Sequence, residues 1–321
     1  MVRIIAELCQ NHNGQRSILE EMIHAAKDAG ADFVKIQSML ATEITKRTRF
    51  DDGLVEGGKI KVIKRPYKAE FERLKKLDLN DQDHYYFLEL CKKYNVEPMT
   101  TIFTRQRLNF IKKLNLKVIK VSSFDCASHA LIQDLAKENF DELIISTGAT
   151  FDREIIRTAD ILKFNQKKFT FLHCISIYPT PLENANLNRL NFLKNYTKNI
   201  GISDHTVYEK DGAKLSAAAV FLGANTVEKH FTILKKNETK DGIVSANFNE
   251  LKQLVKLCKL NKEELAEYIK KEVPEFKTML GNQSRELSDE ELLNRDYYQG
   301  RFASKNSNGE IIYNWDEKDI F

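Results

Sequence analysis

Two histidines open the chemistry of this chain. His205 stands in Gly201-Ile-Ser-Asp-His-Thr206, and His230 follows 25 residues later in Val227-Glu-Lys-His-Phe231. Each comes after a short apolar run, Asn199–Ile202 and Thr226–Val227, and the Ala/Leu-rich stretch Lys214–Leu222, closed by Gly223, lies between them. A parallel β-α-β unit of this kind brings the C-terminal ends of both strands to one rim. Two imidazoles on that rim, with the carboxylates of Asp204 and Glu228 beside them, can hold a divalent metal and leave positions open for substrate. A random pair of histidines reads as surface or core. The matched strand-end positions argue for a site.

Other strand ends carry polar residues where apolar ones are the rule. Glu7 interrupts the apolar run Ile4–Leu8, and an unpaired charge there is costly, so it needs a cation or a polar substrate. Lys35 in Val34-Lys35-Ile36-Gln37 and Lys120 in Ile119-Lys120-Val121 pose the same problem. The two lysines read as a point-charge clamp for phosphate or carboxylate, or as buried ion pairs with Glu7 and Asp125. Thr100-Thr101, Ser146-Thr147-Gly148 and Ser176 set small hydroxyls and a glycine beside them, the donors an oxyanion needs. Each hydroxyl singly reads as a helix cap. Their recurrence at strand ends is the signal.

The elements that must position these residues alternate along the chain. Strands are expected at Ile4–Leu8, Phe33–Ile36, Pro98–Ile102, Val118–Val121, Leu143–Ser146, Phe169–His173, Asn199–Ser203 and Thr226–Glu228, and helical periodicity fills the gaps. The last helix of the series is read as Asn247–Tyr268. This pattern predicts a (β/α)8 barrel with its site at the C-terminal strand ends, with a doubly wound sheet as the other option. The stretch Ser38–Asn80 is too long for an ordinary βα loop and reads as a lid, a partner contact or a mobile segment. The domain reading is a barrel over residues 1–270, a linker over 271–293 and a short C-terminal segment over 294–321 with two short strands around Ser307-Asn-Gly309.

Composition narrows the class. Hydrophobic residues at 42% and charged residues at 30% describe a globular chain with ample core. The net charge of +4 is spread over mixed lysines and glutamates, which argues against nucleic acid as a partner. The cysteines at 9, 91, 126, 174 and 258 show no CxxC spacing and read as reduced core residues. With no signal peptide and no membrane-length apolar run, a cytoplasmic protein without a membrane partner is expected.

The chain resembles the sialic acid synthases, the phosphoenolpyruvate-dependent nonulosonate synthases. The resemblance runs through Glu7, Asn11-His12-Asn13-Gly14, Gly30-Ala31-Asp32, Lys35-Ile36-Gln37 and Lys120-Val-Ser-Ser123. It continues through Ser146-Thr147-Gly148, His173-Cys174, Tyr178-Pro179, Ser203-Asp204-His205-Thr206 and Glu228-Lys229-His230-Phe231. It implies a TIM barrel, usually followed by an antifreeze-like domain, here truncated. It implies Mn2+ or Mg2+ held by His205 and His230. Phosphoenolpyruvate would be bound by Lys35, Thr101, Lys120, Ser123, Ser146, Ser176 and Ser203. Gln37, Tyr178 and Asp241 would face an amino sugar, and Glu7 and Asp125 would do the acid–base work. The product would be a nonulosonic acid plus phosphate, and a homodimer is expected.

Some positions depart from the family pattern. Asp125 stands for a longer glutamate, Ser176 for an asparagine, and Lys240-Asp241-Gly-Ile-Val-Ser245 replaces the usual Pro-Asp-His segment. In the family the antifreeze-like domain crosses a dimer and brings an arginine near the sugar's N-acyl group; no arginine follows Arg301 in this chain. The other readings are a 3-deoxy-ulosonate synthase or a pyruvate aldolase on the same barrel, and a non-catalytic sugar-acid binder.

Overall fold

The computed structural model describes residues 2–320. Eight parallel strands close into a barrel in chain order. They are β1 (Arg3–Cys9), β2 (Phe33–Ser38), β3 (Glu97–Ile102), β4 (Val118–Val121), β5 (Glu142–Ser146), β6 (Phe169–His173), β7 (Ile200–Asp204) and β8 (Thr226–His230). β1 pairs with both β2 and β8, which closes the ring and excludes the doubly wound sheet. No helix among the described residues is long and apolar enough to cross a membrane, and the cysteines are all free and buried.

Period-two alternation sorts the strand residues. In β1, Ile4, Ala6 and Leu8 face the layer of helices, while Ile5 packs inside the barrel with Met99, Ile144 and Leu172. Below that apolar layer the floor is polar. Arg3 donates from Nη1 and Nη2 to Glu142 at 2.9 and 2.8 Å, and Thr170 and Thr226 complete the network. Above it lie Glu7, Lys35, Lys120 and Glu228. The helix Arg16–Asp28 shows the matching outer pattern, burying Leu19, Met22, Ile23 and Ala26 on one stripe.

Three segments differ from the sequence reading. The expected helix Asn247–Tyr268 is two helices, Phe248–Cys258 and Lys262–Glu272, because the Asn261 side chain caps a new start by accepting from the Glu264 N–H. The region read as a linker holds the helix Phe276–Leu280, with Met279 buried, and the start of the helix Asp289–Tyr298, capped by Ser288. The long insertion holds elements of its own: an exposed hairpin of Leu54–Glu56 and Lys59–Val62 turns at Gly57-Gly58, where both glycines have positive φ, and the helix Tyr67–Lys75 follows.

The C-terminal segment is not a separate unit. Its two short strands, Ser304–Lys305 and Ile311–Ile312, form where expected. The segment then lies across the C-terminal rim of its own barrel. Asn294 donates to the Ser176 carbonyl at 2.8 Å, Arg295 to the Ala149 carbonyl at 2.7 Å and Asn314 to the Phe103 carbonyl at 2.8 Å. Phe302 joins Met39, Ala41, Ile44 and Leu74 in a small core that ties this segment to the insertion.

Candidate active site

A cavity of about 430 Å³ opens at the C-terminal ends of the strands, a size suited to small molecules. Strand register builds its inner end. Glu7 stands beside Lys35 on one neighbour and His230 on the other, Thr101 beside Lys120, and Glu228 beside Ser203. Four charges meet there. Lys35 forms an ion pair with Glu7, and its Nζ lies 3.6 Å from Glu228 Oε2, while Lys120 Nζ lies 3.9 Å from Glu228 Oε1. Lys35 also donates to Thr101 Oγ1 at 3.0 Å, Lys120 to Ser146 Oγ at 2.7 Å, and Ser203 to Glu228 at 2.9 Å.

The electrostatics follow from this crowding. Burial alone would raise the Glu228 carboxyl, but Lys120 and Lys35 outweigh it and hold the group down to about 2, so it stays ionised. Burial pulls the Lys35 ammonium below its ordinary value, Lys120 adds to that pull, and the facing carboxylate of Glu228 opposes it. Glu228 Oε2 and Ser176 Oγ are buried without a hydrogen-bond partner and line the same cavity. Backbone approach there is close: a Cβ on Gly148 would sit 2.4 Å from Ser176 Oγ, and the Gly148 N–H donates to Ser123 Oγ at 3.2 Å. Both lysines and the hydroxyls of Thr101, Ser123, Ser146, Ser176 and Ser203 line one cavity with Gly148 packed behind Ser176, whereas Thr100 and Thr147 donate to the Ile36 and Leu172 carbonyls instead.

The histidines lie at its edge, with ring centroids 5.3 Å apart. Burial pulls His205 down to about 4 and His230 down to about 3, so both rings are neutral and carry a lone pair that a cation can use. His230 Nδ1 is buried without a partner. One ligand atom each from Cys9, His230 and Asp241 lie within 4.8 Å of one another. Burial pushes the Cys9 thiol well above its ordinary value, and His230 and Asp241 supply the imidazole and carboxylate of the group. His205 is engaged elsewhere: Tyr178 Oη stands 3.0 Å and Ser203 Oγ 3.4 Å from its Nε2. An imidazole and carboxylate set of this kind fits a hard divalent cation, while Nε2 of His205 is taken by the Tyr178 hydroxyl.

Two carboxylates expected at the site point away from it. Asp204 is fully buried on the outer face of β7, where it pairs with Lys229 at 3.0 Å and accepts from Ser216 and Thr206. Strand alternation sends Ser203 inward and its neighbour outward. Asp125 is absent from the cavity wall, because Ser122, Ser128 and Asn314 donate to its carboxylate at 2.9, 3.0 and 2.8 Å. Its ion pair with Lys120 does not form; Lys120 faces Glu228 instead. Asp125 anchors the C-terminal segment and stands outside the cavity in which an acid–base role was expected for it.

Gln37, Tyr178 and Asp241 line the cavity as expected. Its outer wall comes from the insertion, the loop after β8 and the C-terminal segment, which lie outside the regular β-α alternation. Arg65, Glu70 and Arg73 reach in from the insertion, Lys240 from the loop after β8, and Asn294 and Arg301 from the C-terminal segment. Arg301, the last arginine of the chain, thus enters the site of its own barrel.

The NeuB family model matches residues 22–270. The chain is 31% identical to the N,N'-diacetyllegionaminic acid synthase of Legionella pneumophila, over 94% of this chain and 83% of that protein. It is 29% identical to the pseudaminic acid synthase of Campylobacter jejuni strain 81-176, over 97% of this chain and 84% of that protein. The crystal structure of the N-acetylneuraminic acid synthetase of Leptospira borgpetersenii in complex with citrate superposes with a TM-score of 0.69 at 26% identity, over 92% of this chain and 90% of that one. The barrel, the charged strand ends and these matches together place the chain in the NeuB family of nonulosonate synthases, and it is an enzyme of the C–C bond-forming, transferase type.

Proposed function

We propose that the enzyme condenses phosphoenolpyruvate with the open-chain aldehyde of an amino-hexose, giving a nonulosonic acid and phosphate. The observation that carries the reading is Lys35 and Lys120 flanking the ionised Glu228, ringed by hydroxyls and opening onto the histidine pair. Lys35 and Lys120 hold the phosphate and carboxylate of phosphoenolpyruvate as point charges. Thr101, Ser123, Ser146, Ser176 and Ser203 supply hydroxyl donors around them.

C3 of phosphoenolpyruvate adds to the aldehyde carbon, and positive character develops at C2. Glu228 sits ionised beside that carbon and stabilises it. Water then adds at C2, and the C2–O bond to phosphate breaks. Glu7, ion-paired with Lys35 and accepting the Cys9 N–H at 2.6 Å, is placed to move the proton of that water or of the aldehyde oxygen. His230, Asp241 and His205 would hold Mn2+ or Mg2+, which when bound supplies Lewis-acid polarisation of the aldehyde and fixes its orientation. Gln37 and Tyr178 face the acceptor.

The test is phosphate release from phosphoenolpyruvate with Mn2+ across a panel of N-acetylmannosamine, its 6-phosphate, diacetamido-hexoses, mannose and arabinose 5-phosphate. Release that needs both acceptor and metal, and is lost in His230→Ala, is expected. Release that survives EDTA would remove the metal role from the histidines, and release without any sugar would rule out condensation.

A further inference from the structure

The condensation as written leaves Cys9 unused. This residue ends β1, two positions beyond Glu7, which stands beside His230 in the strand register. The pairing with β2 shifts register between Glu7 and Cys9, and Cys9 takes a left-handed backbone, φ 39°, which a residue with a Cβ adopts only at a cost. The Glu7 carboxylate accepts the Cys9 N–H at 2.6 Å and holds that turn in place. The result is a buried thiol on the His230 side of the strand end.

The surroundings point to an ion rather than to packing. The Cys9 sulfur, a His230 nitrogen and an Asp241 oxygen lie within 4.8 Å of one another. His230 is 7% exposed, and its Nδ1 is buried without a hydrogen-bond partner, a donor atom left unspent. A thiol that only filled a core would need neither a carboxylate nor that nitrogen beside it. Further contacts tie the three segments together. Asn11, just past Cys9, donates to the Phe231 carbonyl at 2.9 Å and to Ser245 Oγ at 3.0 Å, and Ser245 donates to the Asp241 carbonyl at 2.8 Å. Supporting bonds of this kind fix the orientation of metal ligands.

We infer that Cys9, His230 and Asp241 form a three-ligand site whose thiolate selects a thiophilic divalent ion, Zn2+, Co2+ or Fe2+, over Mg2+. Imidazole and carboxylate alone suit many divalent cations, and a thiolate narrows the set. On binding, the Cys9 proton passes to solvent and a sulfur lone pair enters the metal–sulfur bond. Three protein ligands leave a position open for substrate. The inference rests on the synthase reading for the task of the ion, but the ligand set is measured without turnover.

X-ray absorption on the zinc-loaded wild type should show a sulfur neighbour at about 2.3 Å beside nitrogen and oxygen at about 2.0–2.2 Å. The cobalt-loaded protein should carry a near-ultraviolet thiolate-to-cobalt charge-transfer band. That band should vanish in Cys9→Ser and persist in Cys174→Ser, which removes the thiol 3.7 Å from His205 Nδ1. By calorimetry, Cys9→Ser should weaken Zn2+ by about 100-fold and Mn2+ by no more than about tenfold. Should Cys9→Ser fail to fold, the wild-type absorption spectrum and Cys174→Ser decide between the two thiols. Bound zinc with only nitrogen and oxygen neighbours, a band that follows Cys174, or no binding of either metal overturns the inference. Zinc held through Cys9 in a protein that releases no phosphate with any sugar upholds it and sinks the synthase reading alone.

Discussion

Tyr178 Oη lies 3.0 Å from His205 Nε2, and the two rings sit with centroids 4.1 Å apart. The nitrogen that a metal would use is therefore already hydrogen-bonded. Binding a cation at both histidines requires that contact to break, at a net cost of about 1 kcal/mol. Tyr178→Phe should tighten Mn2+ binding by roughly fivefold. Calorimetric titration with Mn2+ checks this, and an unchanged or weaker affinity would show that Tyr178 does not compete for His205.

Glu228 is the carboxylate shared by Lys35 and Lys120. If it stabilises charge at C2, Glu228→Gln should lower kcat by on the order of 10²-fold. The same change removes a negative charge beside the lysines, so the KM for phosphoenolpyruvate should not rise. A variant with near-normal kcat and a raised KM would make Glu228 a binding residue instead.

Asp125 offers a direct contrast between its sequence reading and its surroundings. Burial raises its carboxyl above the ordinary value, with Asn314, Ser122 and Ser128 opposing through hydrogen bonds. Asp125→Asn keeps the shape and alters the network holding Asn314, so kcat should stay within about threefold while stability falls by about 1 kcal/mol. A thermal melt alongside the phosphate assay reads both. A fall in kcat of about 10²-fold without loss of stability would restore Asp125 as an acid–base residue.

At the barrel floor, Glu142 is held down to about 2: burial would raise it, but Arg3, Thr170 and Lys168 more than offset that. A carboxyl lower in the folded than the unfolded chain stabilises the fold above its unfolded value. That contribution is lost as pH drops through the folded value. The wild type should therefore lose about 2–3 kcal/mol between pH 5 and pH 2 through this group, and Glu142→Gln should flatten that part of the curve. Denaturant melts at pH 7, 5 and 2 test it; parallel curves for both proteins would contradict the assignment.

Much of the inner site was legible because β-strands impose a period of two. Once Glu7, Lys35, Lys120 and Glu228 are assigned to strands beside apolar neighbours, alternation separates them from the helix layer, and the rim rule puts them together. What was misread has the same physical root. Asp204 reads from the sequence as a rim carboxylate beside His205, but it follows the inward Ser203 and so faces Lys229 and Ser216 on the outer layer. The break at Asn261 was a legible cap, outweighed in the sequence reading by helical periodicity on both sides.

The sequence by itself determined the barrel, the cluster of charged strand ends and the histidine pair, because each depends on local periodicity and on which end of a strand a residue occupies. Only the tertiary structure decided what forms the outer wall of the cavity. Arg65, Glu70, Arg73 and Arg301 come from an insertion and a C-terminal segment that have no period to read, and their side chains meet because Phe302 and Leu74 share a small core. The same folding back directed Asn314 onto Asp125 and took that carboxylate out of the site. Where a chain returns over its own rim is set by long-range packing, and no local pattern carries that information.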